Sequence, residues 1–380
     1  MSSTLNQQRC CIVGGGGYFG QHIAREMQAE GYHTVLLDLS FTEVDRDGFV
    51  LDEKKITRIK GSVMDEPLLE KALKKCSVCF HIAAYGMSGP AALDGAKTFE
   101  INVQGTILLL AICARIHCKR VVFASSVGVI FTDEPIEMAD EDHPKPSSYY
   151  SYYSESKADA EEFVLKVNGK GLNTVALRFR GIFGAGEPRS TQRAAEAIAQ
   201  GLYFARFEKT SPALTQFSGV DNTAKACALA AKALFDKPEV VGGKVYNIVD
   251  GGEPVDSWQF WNPLIATLGR KPPSWRIPYG LVHGCVSAME VFYSVTKRLA
   301  PMVNRLEINL MAVTNTYSIE RARRDLGYNP TNNHDLTEVC AYYKRYFEKH
   351  PQPFYDIPKM VIVAFSVLVL LLVVFLAWIF

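Results

Sequence analysis

The chain has 380 residues, with 41 Lys and Arg against 40 Asp and Glu, which gives a formal net charge of +1. That length allows one large α/β domain or two smaller ones with a substantial core, and the balanced charge excludes the global field that recruits nucleic acid. The eight histidines lack metal-ligand spacing, and Cys76 and Cys79 form a lone C-x-x-C without a second pair. Buried core thiols are therefore predicted there, with a zinc or redox site as the alternative, and the scattered cysteines are typical of reduced thiols in the cytosol.

The first predicted strand, Cys10 to Val13, runs directly into a glycine-rich turn. Residues 14–20 read GGGGYFG, which satisfies both G-x-x-G-x-x-G and G-x-G-x-x-G, and a helix is predicted over 21–30. A pyrophosphate needs backbone N–H donors at close range, and side chains in the turn would block its approach. The turn therefore predicts a dinucleotide site, with a purely structural tight turn as the alternative.

The second predicted strand, 34–38, ends in an acid. Asp38 stands eighteen residues after Gly20, and Leu39 and Ser40 after it carry no positive charge. A carboxylate at this position accepts hydrogen bonds from the adenosine ribose hydroxyls and repels a 2′-phosphate. The predicted cofactor is NAD rather than NADP, and a turn or helix-cap aspartate is the alternative.

Strands and helices alternate through the next part of the chain. The predicted strands are 57–60, 78–82, 120–124 and 174–177, and the predicted helices between them are 66–75 and 98–116, followed by one that begins near Tyr153. Such alternation predicts an α/β Rossmann fold, a parallel sheet wound on both sides by helices.

The alternation loosens after about residue 187. Further helices are predicted at 190–201, 221–235, 258–268, 315–326 and 335–348, and a strand at 245–249 is predicted to return to the sheet. We therefore predict an NAD-binding domain over 9–188 with return elements near 215–250. A smaller, mainly substrate-binding region is predicted over 189–348.

The stretch 149–157 reads YYSYYSESK, and among its four tyrosines only Tyr153 has a lysine four residues later, Lys157. On a helix both side chains project from the same face. A nearby ammonium favours the phenolate, so the pair predicts a tyrosine base whose pKa is lowered toward neutral pH. The solvated start of an amphipathic helix is the alternative for this spacing taken alone.

Two more polar residues lie at positions suited to chemistry. Ser126 follows the strand 120–124, at the sheet edge where active-site residues gather in open parallel sheets. A serine hydroxyl there can donate to a substrate oxygen on which charge develops during hydride transfer. Asn102 opens the helix between the fourth and fifth strands, and by itself it fits a helix cap as well as a catalytic group.

The end of the chain predicts a membrane anchor. Residues 360–380 are twenty-one residues without a charge, long enough as a helix to cross a hydrocarbon core of ~30 Å. The proline-containing segment 349–359 is predicted to be a linker. Because no signal peptide precedes the charged body, we expect a single-pass C-terminal anchor, in the endoplasmic reticulum, with the catalytic domain in the cytosol.

A second apolar segment, Pro278 to Val303, carries few charges. His283, Ser287 and Glu290 interrupt it, which favours a helix that rests on the membrane surface or packs at the substrate pocket. A second short span is the alternative.

Together these motifs resemble the extended short-chain dehydrogenase/reductase family over residues 9–348. More narrowly, they are similar to the 3β-hydroxysteroid dehydrogenase/Δ5-isomerase group and to family 42E. Besides the glycine turn and the Ser-Tyr-Lys set, the resemblance rests on 80–89 (FHIAAYGMSG), 101–106 (INVQGT), 177–187 (LRFRGIFGAGE) and 220–222 (VDN).

The resemblance implies a role for each candidate residue. Tyr153 would be the acid/base, Lys157 would bind the nicotinamide ribose and hold the tyrosine pKa down, and Ser126 would orient the substrate. Asn102 would support a water chain for proton relay. The cofactor would lie against Gly14, Gly17, Tyr18, Phe19, Gly20, Asp38, His81, Ala83 and Lys157.

Four positions depart from the family pattern. Val13 stands where relatives have threonine, and Ser62 where they have the acid of a Gly-Asp pair; both bear on cofactor affinity. Phe179 replaces the proline of an Arg-Pro pair beside the nicotinamide, and Gly219 replaces a histidine. None of them touches the Ser-Tyr-Lys set, so an active enzyme is expected.

The resemblance implies a membrane-anchored, NAD-dependent oxidoreductase that acts on the CH-OH group of a steroid or sterol in steroid metabolism. Its partners would be that apolar substrate and the membrane, with no nucleic acid, and a homodimer would fit the family. A sterol-4-carboxylate dehydrogenase or an epimerase-like enzyme is the alternative within the enzymes. A non-catalytic NAD-binding membrane scaffold is the alternative from another class.

Overall fold

The computed structural model describes residues 8–298, 301–357 and 359. Its strands are β1 (Arg9–Val13), β2 (His33–Asp38), β3 (Ile56–Lys60), β4 (Val78–His81), β5 (Arg120–Ser126), β6 (Ile136–Ala139), β7 (Asn173–Phe179), β8 (Ile182–Phe183), β9 (Ala205–Arg206), β10 (Leu214–Thr215), β11 (Ser218–Gly219), β12 (Lys244–Ile248), β13 (Val255–Asp256), β14 (Trp275–Arg276) and β15 (Asn315–Tyr317). Its α-helices are α1 (Tyr18–Ala29), α2 (Glu66–Leu73), α3 (Gly95–Phe99), α4 (Gly105–Arg115), α5 (Tyr152–Lys166), α6 (Thr191–Ala199), α7 (Val220–Asp236), α8 (Pro238–Val241), α9 (Asn262–Thr267), α10 (Tyr279–Thr296), α11 (Arg305–Ala312), α12 (Glu320–Leu326) and α13 (Thr337–Lys349).

Seven strands form one parallel sheet in the order β12-β7-β5-β4-β1-β2-β3. The carboxyl ends of these strands meet at one edge, and the chain reverses direction across the sheet between β1 and β4, where ligands bind in folds of this type. The predicted Rossmann sheet is confirmed, and so is the return of the strand near 245–249, which is β12 at one edge of the sheet.

Helices cover both faces of this sheet because successive strand residues point to opposite sides. Ile12 belongs to one buried cluster, together with Ile23 of α1 and Ala230 of α7. Val13 belongs to the other, together with Leu109 of α4 and residues of α2 and α5. The strands are therefore buried on both faces, which explains why their sequences are continuously apolar.

The later part of the chain adds a second sheet and a third buried cluster. The second sheet has the order β13-β10-β15-β6, and the cluster is formed by aromatic and aliphatic side chains that include Phe260, Trp261 and Tyr343. A helix was predicted over 315–326, but Asn315–Tyr317 is β15 and only Glu320–Leu326 is helical. The prediction is wrong for the first five residues, because the first three of them form β15, which pairs with β6 and β10.

The helical stretch Gly95–Arg115 meets the length and composition required to cross a membrane, and it is the only described helix that does so. Half of its apolar window is buried within the fold, where α4 joins the cluster beneath the sheet. Core helices pass the same test, so this is weak support for a span. Between α3 and α4 the stretch includes one π-helical turn, Glu100–Gln104.

Helix α10 forms most of the apolar segment 278–303 and lies on the surface. Leu281, Val291 and Val295 are 60, 64 and 79% exposed, while the buried Glu290 accepts hydrogen bonds from the backbone N–H and Nε of Arg305 at the start of α11. The helix is thus held to the fold along one side and presents apolar side chains to solvent along another.

The predicted linker contacts the fold at Phe354 and Tyr355. Tyr355 donates its backbone N–H to the carbonyl oxygen of Gln200 at 2.8 Å, and the guanidinium of Arg270 lies 4.2 Å from the centre of the Phe354 ring. The predicted anchor, 360–380, lies outside the described residues.

Candidate active site

The glycine turn connects β1 to α1, and its glycines are required for different reasons. A Cβ atom on Gly14, whose φ is +93°, would lie 2.6 Å from the backbone nitrogen of Ala83, and one on Gly20 would lie 2.5 Å from the Gly14 oxygen. At Gly17 the nearest atom would be 3.9 Å away. The fold itself therefore explains Gly14 and Gly20, whereas the space beside Gly17 fits the close approach of a ligand.

Gly17 is also the N-cap of α1, where Tyr18 and Phe19 follow. The first backbone N–H groups of a helix have no acceptor within the helix, and its dipole favours negative charge there. The Tyr18 hydroxyl donates to the carbonyl oxygen of Ala185 at 2.9 Å, which ties this turn to the loop after β8. The residues present fit a pyrophosphate at this position.

Gly17→Ala is expected to leave the free energy of unfolding unchanged and to weaken NAD binding about tenfold or more. The φ of Gly17 is −81°, which alanine adopts readily, and the added methyl group would occupy the space open to a pyrophosphate. Gly14→Ala is the matched control, because its positive φ and its contact with Ala83 predict a loss of stability of about 1 kcal/mol or more. Thermal unfolding and NAD titration of both variants would test this; equal NAD affinity in Gly17→Ala would contradict it.

Asp38 ends β2 beside the glycine turn, as predicted. Its Oδ2 accepts the backbone N–H of Gly16 at 2.9 Å and its Oδ1 accepts that of Leu39 at 2.7 Å. These bonds fix the carboxylate and leave lone pairs on both oxygens for ribose hydroxyls. Asp38 can therefore stabilise the turn and also bind the adenosine ribose.

Two predicted cofactor residues lie at the end of β4: His81 is its last residue, and Ala83 follows it. The imidazole of His81 is only 1% exposed, and its Nε2 lies 2.8 Å from the Thr106 hydroxyl. Burial and the charge of Lys157 lower the pKa of His81 to about 3, so the ring is neutral at physiological pH. Ala83 is half-buried and donates its backbone N–H to the carbonyl of Val13. Contact of either residue with the cofactor stays a prediction.

Helix α5 brings the tyrosine and lysine together. It begins after Ser151, whose hydroxyl caps it by accepting the N–H of Ser154 at 3.1 Å. Tyr153 and Lys157 lie one turn apart on its buried face and are 8 and 2% exposed. Ser126 at the end of β5 lies near the Tyr153 phenol and acts to lower its pKa. The structure thus assembles three of the four predicted catalytic residues.

Lys157 is held by the carboxyl-terminal part of β5 rather than by the tyrosine. Its ammonium donates to the carbonyl oxygen of Ala124 at 2.7 Å and lies 4.7 Å from the centre of the Phe123 ring. Burial lowers the pKa of Lys157 to about 7, the charge of Arg189 acts in the same direction, and Glu161 opposes them.

The tyrosine pKa is raised, not lowered. Burial raises the pKa of Tyr153 to about 12, against the charge of Arg189 and the hydrogen bond from Ser126. The expectation that Lys157 would lower the pKa of Tyr153 is wrong. The loss of water around the phenol outweighs the effect of the charges nearby. The cation that acts on Tyr153 is Arg189, which the sequence analysis did not identify.

Asn102 lies in the π-helical turn, a distortion that is frequent at functional sites. Its Oδ1 accepts the N–H of Tyr85 at 2.8 Å, and its Nδ2 donates to the Tyr85 carbonyl and to the Ser156 hydroxyl at 2.9 Å each. Both amide hydrogens are therefore used to join the loop after β4 to α5. Its predicted part in a water chain stays a prediction.

A buried ion pair supports the end of β5 and was also missed. Glu161 continues the Tyr153 and Lys157 spacing by one more turn, is completely buried, and accepts two hydrogen bonds from Arg178 at 2.7 and 2.9 Å. Its Oε2 also accepts the Ser125 hydroxyl at 2.6 Å. The Glu161 carboxylate thus fixes the end of β5, which contains Ser126 and holds Lys157.

Of the departures from the family pattern, Phe179 has a clear structural consequence. It ends β7 opposite Ser126, and its ring packs edge-on against Phe19 of the glycine turn at 5.3 Å between centres. Gly219 caps α7 and donates its N–H to Asp250 at 2.9 Å.

The sequence is similar to those of known proteins. The family model of the 3-beta hydroxysteroid dehydrogenase/isomerase family matches residues 11–279. Short-chain dehydrogenase/reductase family 42E member 1 of Xenopus laevis is 33% identical, over 91% of this chain and 90% of its own length. The 3beta-hydroxysteroid dehydrogenase/Delta(5)-Delta(4) isomerase 1 of Caenorhabditis elegans is 36% identical, over 75% of this chain and 61% of its own length.

Among solved structures, UDP-glucose 4-epimerase of Thermus thermophilus in complex with NAD superimposes with a TM-score of 0.66. The two sequences are 21% identical over 89% of this chain and 99% of that one. This likeness shows the fold alone.

Proposed function

Because the chain belongs to the 3-beta hydroxysteroid dehydrogenase/isomerase family, whose members are NAD-dependent oxidoreductases, we propose that it oxidises a secondary alcohol on a steroid or a similar flat apolar molecule. The observation that carries the proposal is the grouping of the buried Tyr153 and Lys157 with the half-buried Ser126 at the carboxyl edge of the sheet. Catalytic residues collect at this edge in open parallel sheets.

Each residue of the set has a separate task in the proposed reaction. Tyr153 has a raised pKa, so it must first lose its own proton; as the phenolate it removes the hydroxyl proton of the alcohol, and Ser126 fixes the alcohol oxygen. Lys157 adds a donor directed at the same edge. Bound NAD supplies the acceptor for the hydride that leaves the carbon, so the substrate loses one hydride and one proton and becomes a ketone.

The proposal is tested by the formation of reduced nicotinamide. Membranes that carry the full chain would be given NAD and a panel of 3β-hydroxysteroids, with secondary alcohols of sugars as a comparison. An increase in the absorbance of reduced nicotinamide with the steroids, but not with the sugar alcohols, would support the proposal. Oxidation of sugar alcohols alone would favour an epimerase-like activity, and NAD binding without oxidation of any alcohol would favour a scaffold.

We also propose that the protein is anchored to a membrane through residues 360–380 and that α10 rests on the bilayer. The support is the uncharged run in the sequence and the exposed apolar side chains of α10, which include Leu281, Val291 and Val295. An apolar substrate partitions into the same bilayer. The endoplasmic reticulum is the proposed membrane, with the catalytic domain on the cytosolic side.

Deleting residues 360–380 is expected to move the protein from the membrane fraction to the supernatant while NAD affinity stays unchanged, because the deletion removes an uncharged run long enough to cross the bilayer. The truncated protein should still bind vesicles weakly, and a Val291→Glu, Val295→Glu variant should lose that binding. Glu239→Gln on the short helix α8 is a surface control that should not change it. Full membrane retention after the deletion would contradict the anchor.

A further inference from the structure

Helix α10 turns its apolar side outward. Its one charged residue, Glu290, is buried, and the polar His283 and Ser287 are half-buried on the same side of the helix. The large side chains that it exposes are all apolar and are 42 to 79% exposed: Leu281, Met289, Val291, Phe292 and Val295. A surface helix in water has the opposite arrangement, with its apolar stripe toward the core and its charged face outward. The outward face of α10 therefore fits an apolar surrounding.

Exposed cations stand at both ends of this helix. Arg276 lies three residues before α10 begins, and Lys297 and Arg298 directly follow its last residue. All three are exposed, and none of them forms an ion pair with an acid in the part of the chain that the structure describes. Residues 271–298 contain four Lys or Arg against the single, buried Glu290. We refer to Arg276, Lys297 and Arg298 as the basic ends of α10.

The acids beside α10 do not neutralise its basic ends. Strand β9 pairs with β14, which contains Arg276, and helix α11 packs against α10. The acids on or next to these elements and in the linker lie 2.5 to 3.7 Å from other cations, in the pairs Glu208 with Arg206, Glu290 with Arg305, Glu307 with Arg193 and Asp356 with Lys359. The basic ends therefore leave an excess of positive charge over this surface.

The dimensions of α10 favour a helix that lies along a bilayer. Its 18 residues span about 27 Å, and the cations at both of its ends must stay in a polar environment. The hydrogen bonds from Arg305 to Glu290 hold the helix to the fold. Lying flat, α10 brings its basic ends to the level of the lipid phosphates while its apolar face enters the acyl boundary. Trp275, which is 36% exposed beside Arg276, is of a residue type that is enriched at that level.

We propose that α10 and its basic ends bind a bilayer surface that carries anionic phospholipids, and that these headgroups, together with the anchor, orient the catalytic domain on the membrane. This inference rests on the proposed function, because it names the lipid class that the surface placed on the bilayer contacts. Cytosolic leaflets carry a negative surface charge, which attracts basic segments next to a membrane. Lys359, directly before the uncharged run 360–380, adds a cation at the same boundary.

Cys285 provides the measurement that tests this inference. It is exposed on α10, whereas the other eight cysteines are buried or, in Cys340, half-buried. The full chain would be reconstituted into vesicles of phosphatidylcholine, either alone or with phosphatidylserine added. The rate at which a membrane-impermeant maleimide labels Cys285 would then be measured, and Cys285→Ser would identify the signal. Contact of α10 with the bilayer protects this thiol.

We expect phosphatidylserine to slow the labelling of Cys285 about tenfold or more. Each cation held at an anionic surface strengthens binding by about fivefold, and the basic ends supply three cations. A high salt concentration should return the labelling rate to that in phosphatidylcholine, because exposed charges are screened. Equal rates in the two kinds of vesicle would overturn the inference.

The variant that removes the basic ends is Arg276→Gln, Lys297→Gln, Arg298→Gln. Its Cys285 should label at one rate in both kinds of vesicle, the rate of the unaltered protein in phosphatidylcholine, and its NAD affinity should not change. The matched control is Lys71→Gln, Lys74→Gln, Lys170→Gln, which removes three exposed cations that precede β4 and β7, at the amino edge of the main sheet. The effect of phosphatidylserine should persist in this control. Its loss there would overturn the inference, since net charge alone would then explain the effect.

A second thiol separates this inference from the membrane placement on which it rests. Glu239→Cys, in the Cys285→Ser background, puts a thiol on the exposed side of α8 and gives the labelling rate of an unprotected position. If Cys285 labels as fast as this thiol in both kinds of vesicle, α10 is not on the bilayer and both proposals fail. If Cys285 is protected equally in both, α10 rests on the bilayer and only the preference for anionic lipid fails.

Discussion

Tyr153→Phe is expected to lower kcat about 100- to 10,000-fold, because it removes the group that accepts the hydroxyl proton. NAD affinity and the unfolding temperature should stay close to those of the unaltered protein. Tyr153 is 8% exposed, and phenylalanine keeps the ring that packs there. Steady-state formation of reduced nicotinamide, together with NAD titration, measures both quantities.

Tyr152→Phe is the matched control for this result. Tyr152 is the preceding residue on α5, is 47% exposed, and has Ser156 rather than a lysine at the fourth position after it. The same hydroxyl is removed from a neighbouring ring, and kcat should change little. Comparable losses in both variants would show that the tyrosines support α5 rather than carry the chemistry.

Glu161→Ala is expected to lower the free energy of unfolding by about 3–5 kcal/mol, because it leaves the Arg178 guanidinium buried without its carboxylate. The pair joins α5 to β7 and holds Ser125. Denaturant unfolding measures the change. The exposed pair of Glu53 and Arg58 is the matched control, and Glu53→Ala should cost less than about 1 kcal/mol.

The same carboxylate makes stability depend on pH. Burial by itself would raise the pKa of Glu161, but the Arg178 guanidinium and the Ser125 hydroxyl hold it below its usual range. Its contribution to stability is therefore complete above the unfolded value of about 4.3 and is lost as the pH falls through the lower folded value. Glu161→Ala should lack this part of the acid sensitivity.

The main sheet and the glycine turn could be predicted because their signals are local. Strands such as β1 and β2 are continuous apolar runs, and a run of glycines between a strand and a helix is typical of a dinucleotide-binding turn. The pairing of Tyr153 with Lys157 on one helix face follows from spacing alone. Each of these features can be recognised without knowing what packs against it.

The features that were not predicted depend on distant contacts. Strands β10, β13 and β15 have two or three residues, too few for alternation to be recognised. Glu161 and Arg178 are seventeen residues apart and meet only because α5 packs on the sheet. The raised pKa of Tyr153 is a burial effect, which the spacing of charges along a helix does not reveal.

The packing of α7 against α1 affects how the chain folds during synthesis. The residues of α7 from Ala224 to Leu234 complete the buried cluster on one face of the main sheet, and the edge strand β12 comes later still. While the ribosome has produced only the first 188 residues, that face lacks the cover that α7 provides. Apolar strand surface of this kind binds chaperones or aggregates, so the nascent chain needs protection until about residue 248 has emerged.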